Sequence, residues 1–156
     1  MGLKGLNRII VAVRNIETSK KFYSEVLGAT FMDANWTGAP YGIDVAISWD
    51  AGIELIAPAA GREHDSIVTE FLERQGEGVL NVVFQVDDGA AARQKAESAG
   101  LRASHSLDYS QLEIDDHLAG LFRKYEEHVL DSRARCGFGM TLGQIEPKAA
   151  GPCGVG

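Results

Sequence analysis

Residues 6–13 alternate between β-branched apolar side chains and a second, mixed set, which is the pattern of a β-strand with one buried face. Ile9, Val11 and Val13 fall on one face, and we expect this face to pack beneath a helix. Arg8 falls on the opposite face. The pattern therefore predicts a strand that carries a charged side chain on the side away from the helix.

A helix is predicted directly after this strand. Asn15, or Thr18 beyond it, can cap its start, and Gly28 can end it because glycine readily adopts the left-handed conformation found there. Its packed face is predicted to consist of the apolar residues of its second half, Phe22, Tyr23, Val26 and Leu27.

Three further strands are predicted to complete the first half of the chain, at residues 29–35, 41–49 and 52–58, with a turn at 37–40. A short amphipathic helix is predicted near residues 64–74. Its inward face should contain Ile67, Val68, Phe71 and Leu72.

The second half of the chain repeats the order of the first. A shift of 73 residues places segment 7–13 on segment 80–86, so that Arg8 and Asn81 occupy equivalent positions. A single unit of this kind cannot bury its own apolar face. Two copies therefore predict a duplicated α+β fold, in which two β-α-β-β-β modules related by a pseudo-twofold axis close on each other.

The predicted second half contains a helix at about 89–99 among strands at 79–86, 101–107, 122–130 and 137–146. Residues 108–121 form an acidic insertion, expected to be a loop or a helical turn. We expect one domain over residues 1–146 and a flexible tail at 147–156. The domain divides into module one at 5–58, a linker at 59–78 and module two at 79–146.

Composition narrows the classes of partner. The 156 residues carry a net charge of −7, which argues against nucleic acid and against an anionic membrane surface. The start of the chain lacks the hydrophobic core of a signal peptide, so a cytoplasmic protein is expected. Cys136 and Cys153 lack the spacing of a metal site and are expected to be reduced thiols.

Four segments of this duplicated pattern resemble the vicinal oxygen chelate superfamily, which includes glyoxalase I, extradiol dioxygenases and bleomycin-resistance proteins. They are LNRIIVAVRNIETSKKFYSEVLGAT, GIELIAP, GEGVLNVVFQVDD and VLDSRARCGFGMTLGQIEP. The long final hairpin is most similar to the methylmalonyl-CoA epimerase branch. The resemblance implies a curved mixed sheet that forms a half-barrel bowl, a small-molecule ligand inside the bowl, and a homodimer.

Members of this superfamily usually hold a divalent metal with four side chains, and their positions correspond here to Arg8, Glu54, Asn81 and Thr141. A guanidinium has no lone pair to offer a metal and stays positively charged. We therefore predict neither a metal at this place nor another cofactor. Arg8 and Glu54 can pair. The pair either holds the strands together, or Arg8 binds a substrate oxyanion while Glu54 acts as a base.

Further candidates come from histidine and from polar or aromatic residues at inward positions. His105 and His128 lie in strands that could border the bowl, and imidazole titrates near neutral pH. The candidate catalytic residues are thus Arg8, Glu54, His105 and His128. The candidate substrate-binding residues are Asn81, Thr141, Gln85, Asp44, Trp36, Tyr109 and Tyr125. Glu126 and Glu127, with Lys124, fit a solvated strand edge at least as well as a catalytic role.

Three functions remain open. The first is a metal-independent isomerase or lyase acting on a small oxygenated metabolite (a carboxylate, a carbonyl compound or an acyl-CoA), with Arg8 stabilising negative charge in place of a metal. The second is a resistance-type protein that sequesters a small molecule without a reaction. The third is a metalloenzyme with unusual ligands such as Glu54, His105 and His128.

Overall fold

The computed structural model describes residues 2–149. Eight strands form one sheet: β1 (Leu3–Ala12), β2 (Met32–Asp33), β3 (Ile43–Ser48), β4 (Ile53–Pro58), β5 (Gly78–Val86), β6 (Ala103–Asp108), β7 (Phe122–Leu130) and β8 (Gly139–Pro147). Six helical segments accompany them: α1 (Ile16–Leu27), α2 (Asn35–Gly38), α3 (Thr69–Gln75), α4 (Gly89–Ser98), α5 (Gln111–His117) and α6 (Arg133–Cys136). In residues 2–149 we find no helix of the length and hydrophobicity that a membrane crossing needs.

The sheet confirms the predicted duplication. Its strand order is β2-β3-β4-β1-β5-β8-β7-β6, and it curls into a half-barrel. β1 runs parallel to β4 and β5 runs parallel to β8, while β1 and β5 meet antiparallel at the centre. Ile9 lies opposite Val82 at this junction, so Arg8 and Asn81 each precede the central pair by one residue. The pseudo-twofold axis thus relates the positions that the 73-residue shift had matched.

The two faces of β1 are also as predicted. Val11 and Val13 pack with Ile53 and Leu55 in a core beneath α1, and Ile9 adjoins them. On the concave face, Ala12 belongs to the larger core of the molecule, which combines side chains of both modules. Burial of this apolar surface supplies most of the driving force for folding, at roughly 25 cal/mol per Å².

α1 begins and ends where expected, but its packed face was predicted wrongly. Asn15 caps the helix by accepting a hydrogen bond from the Thr18 amide, and Gly28 ends it with a φ of 69°. Tyr23 packs against the core, whereas the other three apolar residues are largely exposed: Phe22 at 56%, Val26 at 61% and Leu27 at 59%. Helical periodicity identified an apolar stripe and could not tell which part of it the sheet covers.

Several boundaries differ from the sequence prediction. The strand expected at 29–35 is only the two residues of β2, because Asn35 starts α2, and a 3-10 turn over Ala39–Tyr41 follows in place of a simple turn. α3 begins at Thr69, so Ile67 lies outside it and is 53% exposed. The insertion 108–121 contains α5, whose Ile114 is buried in the main core.

The predicted tail is partly structured where it can be described. Pro147 ends β8, the Lys148 amide donates to the Leu121 carbonyl, and the Lys148 ammonium lies 2.9 Å from an Asp115 carboxylate oxygen. These contacts hold Pro147 and Lys148 against the rest of the fold, and the flexibility expected for the tail stays a prediction. Residues 150–156, including Cys153, lie outside the described part of the chain, and Cys136 has a free thiol.

Candidate active site

The concave face of the sheet encloses a cavity of about 280 Å³ between the two modules. Apolar side chains from β3, β4 and β6 form much of its wall: Ile43, Val45, Ile47, Ile56 and Leu107. Its polar lining residues come from both modules and include Arg8, Glu54, Asn81, His105, Tyr109, Tyr125, Glu127, Arg133 and Thr141. A concave, mostly apolar pocket with few polar groups is typical of a small-molecule site.

The register of the sheet brings the four positions of the expected metal quartet together. Glu54 lies opposite Ile10 on β1, and Thr141 lies opposite Val83 on β5. Ile10 and Val83 are related by the repeat, so Glu54 and Thr141 are equivalent, as Arg8 and Asn81 are. All four side chains face the cavity because residues on neighbouring strands at the same register share a face.

Arg8 is the centre of a buried hydrogen-bond network at the floor of the cavity. Its Nε donates to Glu54 Oε2 at 2.6 Å, and its Nη2 donates to Glu127 Oε1 at 2.8 Å and to Tyr125 Oη at 3.0 Å. Its Nη1 donates to Asn7 Oδ1 at 2.9 Å. The guanidinium also lies over the Trp49 ring, with Cζ 5.3 Å from the ring centroid. These contacts hold the cation in one position.

Burial and mutual charge shift the pKa values in this network. Burial raises the pKa of Glu54; the positive charge of Arg8 offsets part of this rise, and the negative charge of Glu127 adds to it. Burial alone would lower the pKa of Arg8, but Glu127 and Glu54 together outweigh it and the pKa of Arg8 is raised. Burial likewise raises the pKa of Tyr125, so its phenol stays protonated. Glu54 therefore holds its proton more readily than an exposed glutamate does, which suits a carboxyl group that exchanges a proton with a ligand.

The other half of the quartet forms a neutral pair. Thr141 Oγ1 donates to Asn81 Oδ1 at 2.7 Å, and both residues are buried. Gly139, opposite Asn81, leaves the space that the amide occupies, since a Cβ there would lie 2.5 Å from Asn81 Nδ2. The sequence therefore supplies a charged network on the β1 side and an uncharged one on the β5 side.

These residues do not fit a divalent metal. The guanidinium of Arg8 occupies one ligand position and already binds the Glu54 carboxylate that would serve a metal. Asn81 and Thr141 are weak neutral donors that satisfy each other. In the described residues, there is also no group of three or more His, Cys, Asp or Glu side chains placed to hold a metal ion. A cation at this place would have to displace Arg8 from two carboxylates.

The two candidate histidines lie on different faces of the sheet. His105 lines the cavity, its ring centroid is 5.0 Å from that of Tyr41, and burial lowers its pKa, so it is neutral at neutral pH. His128 was also a candidate for the border of the cavity, but it is not among the residues that line it. Its Nε2 lies 2.7 Å from Glu126 Oε1 and its Nδ1 lies 2.6 Å from Ser106 Oγ. It is therefore unable to join Glu54 and His105 in the unusual metal site considered above.

Of the remaining candidates, two tyrosines line the cavity and the other three residues lie outside it. Tyr109 and Tyr125 line the cavity, with ring centroids 5.5 Å apart. Trp36 is not among the lining residues. Its ring centroid lies 5.2 Å from that of Tyr109, and it stacks on the His117 ring with centroids 4.0 Å apart. Gln85 is held outside the cavity, where its Nε2 donates to the Ile145 carbonyl. Asp44 alternates with Ile43 and Val45, so it lies on the opposite face of β3.

Glu127 and Arg133 are residues of the cavity lining that sequence reasoning missed as candidates. In the sequence Glu127, with Glu126 and Lys124, fits a solvated strand edge at least as well as a catalytic role, yet in the structure it is buried and bonds to Arg8. Glu126 does pair with Lys124, at 2.8 Å. Strict alternation from Tyr125, already a candidate for the cavity wall, would have placed Glu127 on the same inward face.

The comparisons with known proteins agree with this architecture. Residues 7–113 match the model of the Glyoxalase/Bleomycin resistance protein/Dioxygenase superfamily. The chain belongs to that superfamily, as its resemblance had indicated. A search of curated proteins finds no match.

Solved structures resemble the chain over nearly its whole length. Methylmalonyl-CoA epimerase from Mycobacterium tuberculosis is 20% identical, with a TM-score of 0.69 over 94% of this chain and 89% of that one. A Streptomyces coelicolor methylmalonyl-CoA epimerase variant in complex with 2-nitronate-propionyl-CoA is 20% identical, with a TM-score of 0.71 over 96% and 100%. A hypothetical protein from Bacillus halodurans C-125 is 18% identical, with a TM-score of 0.73 over 97% and 100%. At these identities the likeness establishes the fold.

Proposed function

We propose that this protein is an isomerase-type enzyme that moves a proton at the carbon next to a carbonyl group of a small molecule, without a metal ion. The observation that carries the proposal is the contact of Glu54, a buried carboxyl group of raised pKa, with Arg8 at the floor of an apolar cavity. The likeness of the fold to methylmalonyl-CoA epimerases supports an isomerase rather than another class of enzyme.

In this proposal Glu54 is the base. It accepts the proton from the carbon acid, and the electron pair moves onto the carbonyl oxygen to form an enolate. A guanidinium has five N–H groups, and Arg8 uses four hydrogen bonds within the protein, so one N–H remains for this oxygen. Return of the proton from Glu54 to a neighbouring carbon, or to the opposite face of the same carbon after the enolate has turned in the cavity, completes an isomerisation, and the reaction needs no second reactant.

The experiment is proton exchange in D₂O, followed by NMR with propionyl-CoA and simple ketones as carbon acids. Wild-type protein should incorporate deuterium next to the carbonyl in the presence of a strong chelator. The rate should rise with pH as Glu54 loses its proton, because only the ionised carboxylate is a base. Glu54→Gln should lower the rate by about 10²-fold or more.

Glu126→Gln is the matched control, since Glu126 neighbours Glu127 on β7 but faces away from the cavity. It should keep the wild-type exchange rate. Equal rates in wild type and Glu54→Gln would contradict the proposed role of Glu54, and loss of exchange on chelation would contradict metal independence.

A second function, sequestration of a small molecule, is favoured by a different observation. Most N–H groups of Arg8 already donate hydrogen bonds to protein atoms. This is expected if the network only supports the floor of an apolar binding cavity and takes no part in a reaction. Sequestration predicts a complex of one ligand per cavity, measured by calorimetry, with no deuterium incorporation into any ligand that binds.

We also propose that the protein is a homodimer, as is usual in the superfamily that it resembles. Each subunit supplies both modules, so each dimer would contain two complete cavities. Sedimentation velocity at micromolar concentration tests this, and a monomer at all concentrations would contradict it.

A further inference from the structure

The charge at the floor of the cavity limits which chemical groups can bind there. One guanidinium, Arg8, lies between the carboxylates of Glu54 and Glu127, so the floor has a formal charge of −1 when both are ionised. Protonation of Glu54 brings the charge only to zero. The floor is therefore not positive in either state, and a second anionic group placed there would meet Coulomb repulsion in a poorly solvated site.

A neutral carbonyl group is compatible with this floor. It needs one hydrogen-bond donor, which the remaining N–H of Arg8 supplies, and it brings no charge of its own. Transfer of its neighbouring proton to Glu54 also leaves the total charge of the floor and substrate unchanged. The floor thus favours a thioester, ester or ketone over a carboxylate.

The rim of the cavity has the opposite character because of Arg133, in α6. Its Nη2 donates to the Leu80 carbonyl at 2.7 Å and its Nη1 to the Gly137 carbonyl at 3.2 Å. Its Cζ also lies 5.1 Å from the centroid of the Phe71 ring. These partners are neutral, so they fix the guanidinium in place without compensating its charge.

An acidic residue that also lines the cavity, Asp131, is paired with a different arginine. Its carboxylate pairs with Arg102, at 3.6 Å. Among the ion pairs of residues 2–149, Arg133 takes part in none within 4.0 Å. A half-buried guanidinium that faces a cavity and has unused N–H groups is suited to an anionic group of a ligand.

The two arginine residues meet β5 at different positions along the strand, Arg8 through its backbone register and Arg133 through its guanidinium. Arg8 lies opposite Val83, whereas Arg133 bonds to the carbonyl of Leu80. Three residues of a strand span roughly 10 Å. The apolar wall formed by Ile43, Val45 and Ile56 lines the same cavity and can cover a chain that joins two ligand groups at about this separation.

We propose that the cavity takes an elongated ligand that presents a neutral carbonyl group to the floor at Arg8 and a remote anionic group, a carboxylate or a phosphate, to Arg133 at the rim. This extends the proposed function by naming its substrate class, and it rests on that function in taking the carbonyl as the group to be isomerised.

Three probes of equal chain length test the two ends of the ligand separately: monomethyl suberate, dimethyl suberate and suberate. Their affinities can be measured by calorimetry at neutral pH. Monomethyl suberate carries one ester carbonyl and one carboxylate, and we expect it to bind about tenfold more tightly than dimethyl suberate, which lacks the anion. We expect suberate to bind more weakly than monomethyl suberate, because its second carboxylate must face the floor.

Arg133→Gln should remove the advantage of monomethyl suberate over dimethyl suberate. Arg135→Gln is the matched control, since Arg135 lies in the same helical turn, is exposed and is not among the residues that line the cavity. It should keep the advantage. An unchanged preference in Arg133→Gln, or tighter binding of suberate than of monomethyl suberate, would overturn the inference.

A second pair of probes distinguishes a phosphate from a carboxylate at the rim. Propionyl-CoA carries phosphates remote from its thioester, and propionyl-pantetheine lacks them. A preference for propionyl-CoA that depends on Arg133, without one for monomethyl suberate, would assign the anion as a phosphate. If no probe of either set shows a preference that depends on Arg133, the inference is wrong.

The outcome is separable from that of the proposed function. Preferences that depend on Arg133 in a protein that exchanges no deuterium would support the ligand class and contradict the isomerase. Deuterium exchange with no effect of Arg133→Gln on affinity would support the isomerase and contradict the ligand class.

Discussion

At the scale of the residue, Arg8 joins the two modules through buried ion pairs. It stands where the superfamily usually has a metal ligand, and it bonds to Glu54 and Glu127 from opposite modules. A buried ion pair contributes little net stability when both partners are present, since desolvation offsets their attraction. Removal of one partner is costly, because the other charges remain buried.

Arg8→Met should therefore destabilise the protein by about 3–5 kcal/mol, measured by urea denaturation at neutral pH. Exposed Arg135→Met should change the free energy of unfolding by no more than about 0.5 kcal/mol. Adding Glu54→Gln and Glu127→Gln to Arg8→Met should recover part of the loss. If Arg8→Met lowers the free energy of unfolding by less than about 1 kcal/mol, the two carboxylates become hydrated when the arginine is absent, and the prediction is wrong.

Glu54 should make stability depend on pH. Because its pKa is raised, the folded protein binds more protons at this residue than the unfolded chain does, and its contribution to stability falls as the pH rises. This contribution is complete below the ordinary pKa of glutamate and is lost as the pH passes through the raised pKa. Glu54→Gln lacks the titration, so its stability relative to wild type should increase from acidic to neutral pH.

Urea denaturation of both proteins across this pH range measures the effect. The informative quantity is the difference between their free energies of unfolding at each pH. A difference that stays constant, or that moves toward wild type as the pH rises, would contradict a raised pKa at Glu54.

At the scale of the element, the duplication extends to the caps of the helices. Asn15 caps α1 and Asp88 caps α4, and their positions differ by the same 73 residues as Arg8 and Asn81. Each accepts a hydrogen bond from the backbone amide three residues later. Such a cap orients its helix against the strand that precedes it.

Asp88→Ala should lower the free energy of unfolding by about 1 kcal/mol, because the amide of Ala91 loses its partner. Asp88→Asn should retain most of the stability, since asparagine also accepts this bond. Thermal or urea denaturation measures both, with exposed Asp116→Ala as a control within about 0.5 kcal/mol of wild type. Equal stability of Asp88→Ala and wild type would mean that solvent replaces the cap.

At the scale of the whole molecule, the site depends on four strands, β4, β1, β5 and β8, that become neighbours only in the assembled sheet. β1 and β4 bring Arg8 and Glu54 together, and β5 and β8 bring Asn81 and Thr141 together. The arrangement of the backbone should suit a metal if the donors were restored, because a metal site requires the right ligands at the right register.

The triple variant Arg8→His, Asn81→His, Thr141→Glu, with native Glu54, should gain zinc binding. Zinc added after chelation should raise its melting temperature, because a ligand that binds only the folded state stabilises it. The wild-type protein should show no such increase, and this arm remains decisive if the triple variant folds poorly. A zinc-dependent increase in the wild type would contradict the replacement of the metal by Arg8.

Much of this organisation was predictable from local pattern. The repeat matched Arg8 with Asn81, and alternation placed Arg8 and Glu54 on the same side of the sheet. Both features follow from the two-residue period of a strand, which assigns a face without knowledge of the rest of the fold. The same reasoning failed at α1, where helical periodicity overestimated how much of the apolar stripe is covered.

It also failed where adjacent polar residues compete for a face. Glu126, Glu127 and His128 are consecutive, and the register of β7 shifts between Phe122 and Lys124, so counting from the start of the strand gives no reliable parity. Tertiary packing decides that Glu127 faces Arg8 while His128 faces Ser106. No local rule distinguishes these two outcomes without an anchor such as Tyr125.

By itself the amino-acid sequence determined the duplicated α+β fold, the family, and the presence of an arginine where a metal ligand is usual, because periodicity and repetition are properties of neighbours along the chain. Only the tertiary structure decided that a second carboxylate completes the Arg8 network, that the cavity floor is not positive, and that Arg133, which lines the same cavity, takes part in no ion pair within 4.0 Å among residues 2–149. Those properties depend on burial and on distances between residues far apart in the chain, and neither is encoded in any single segment.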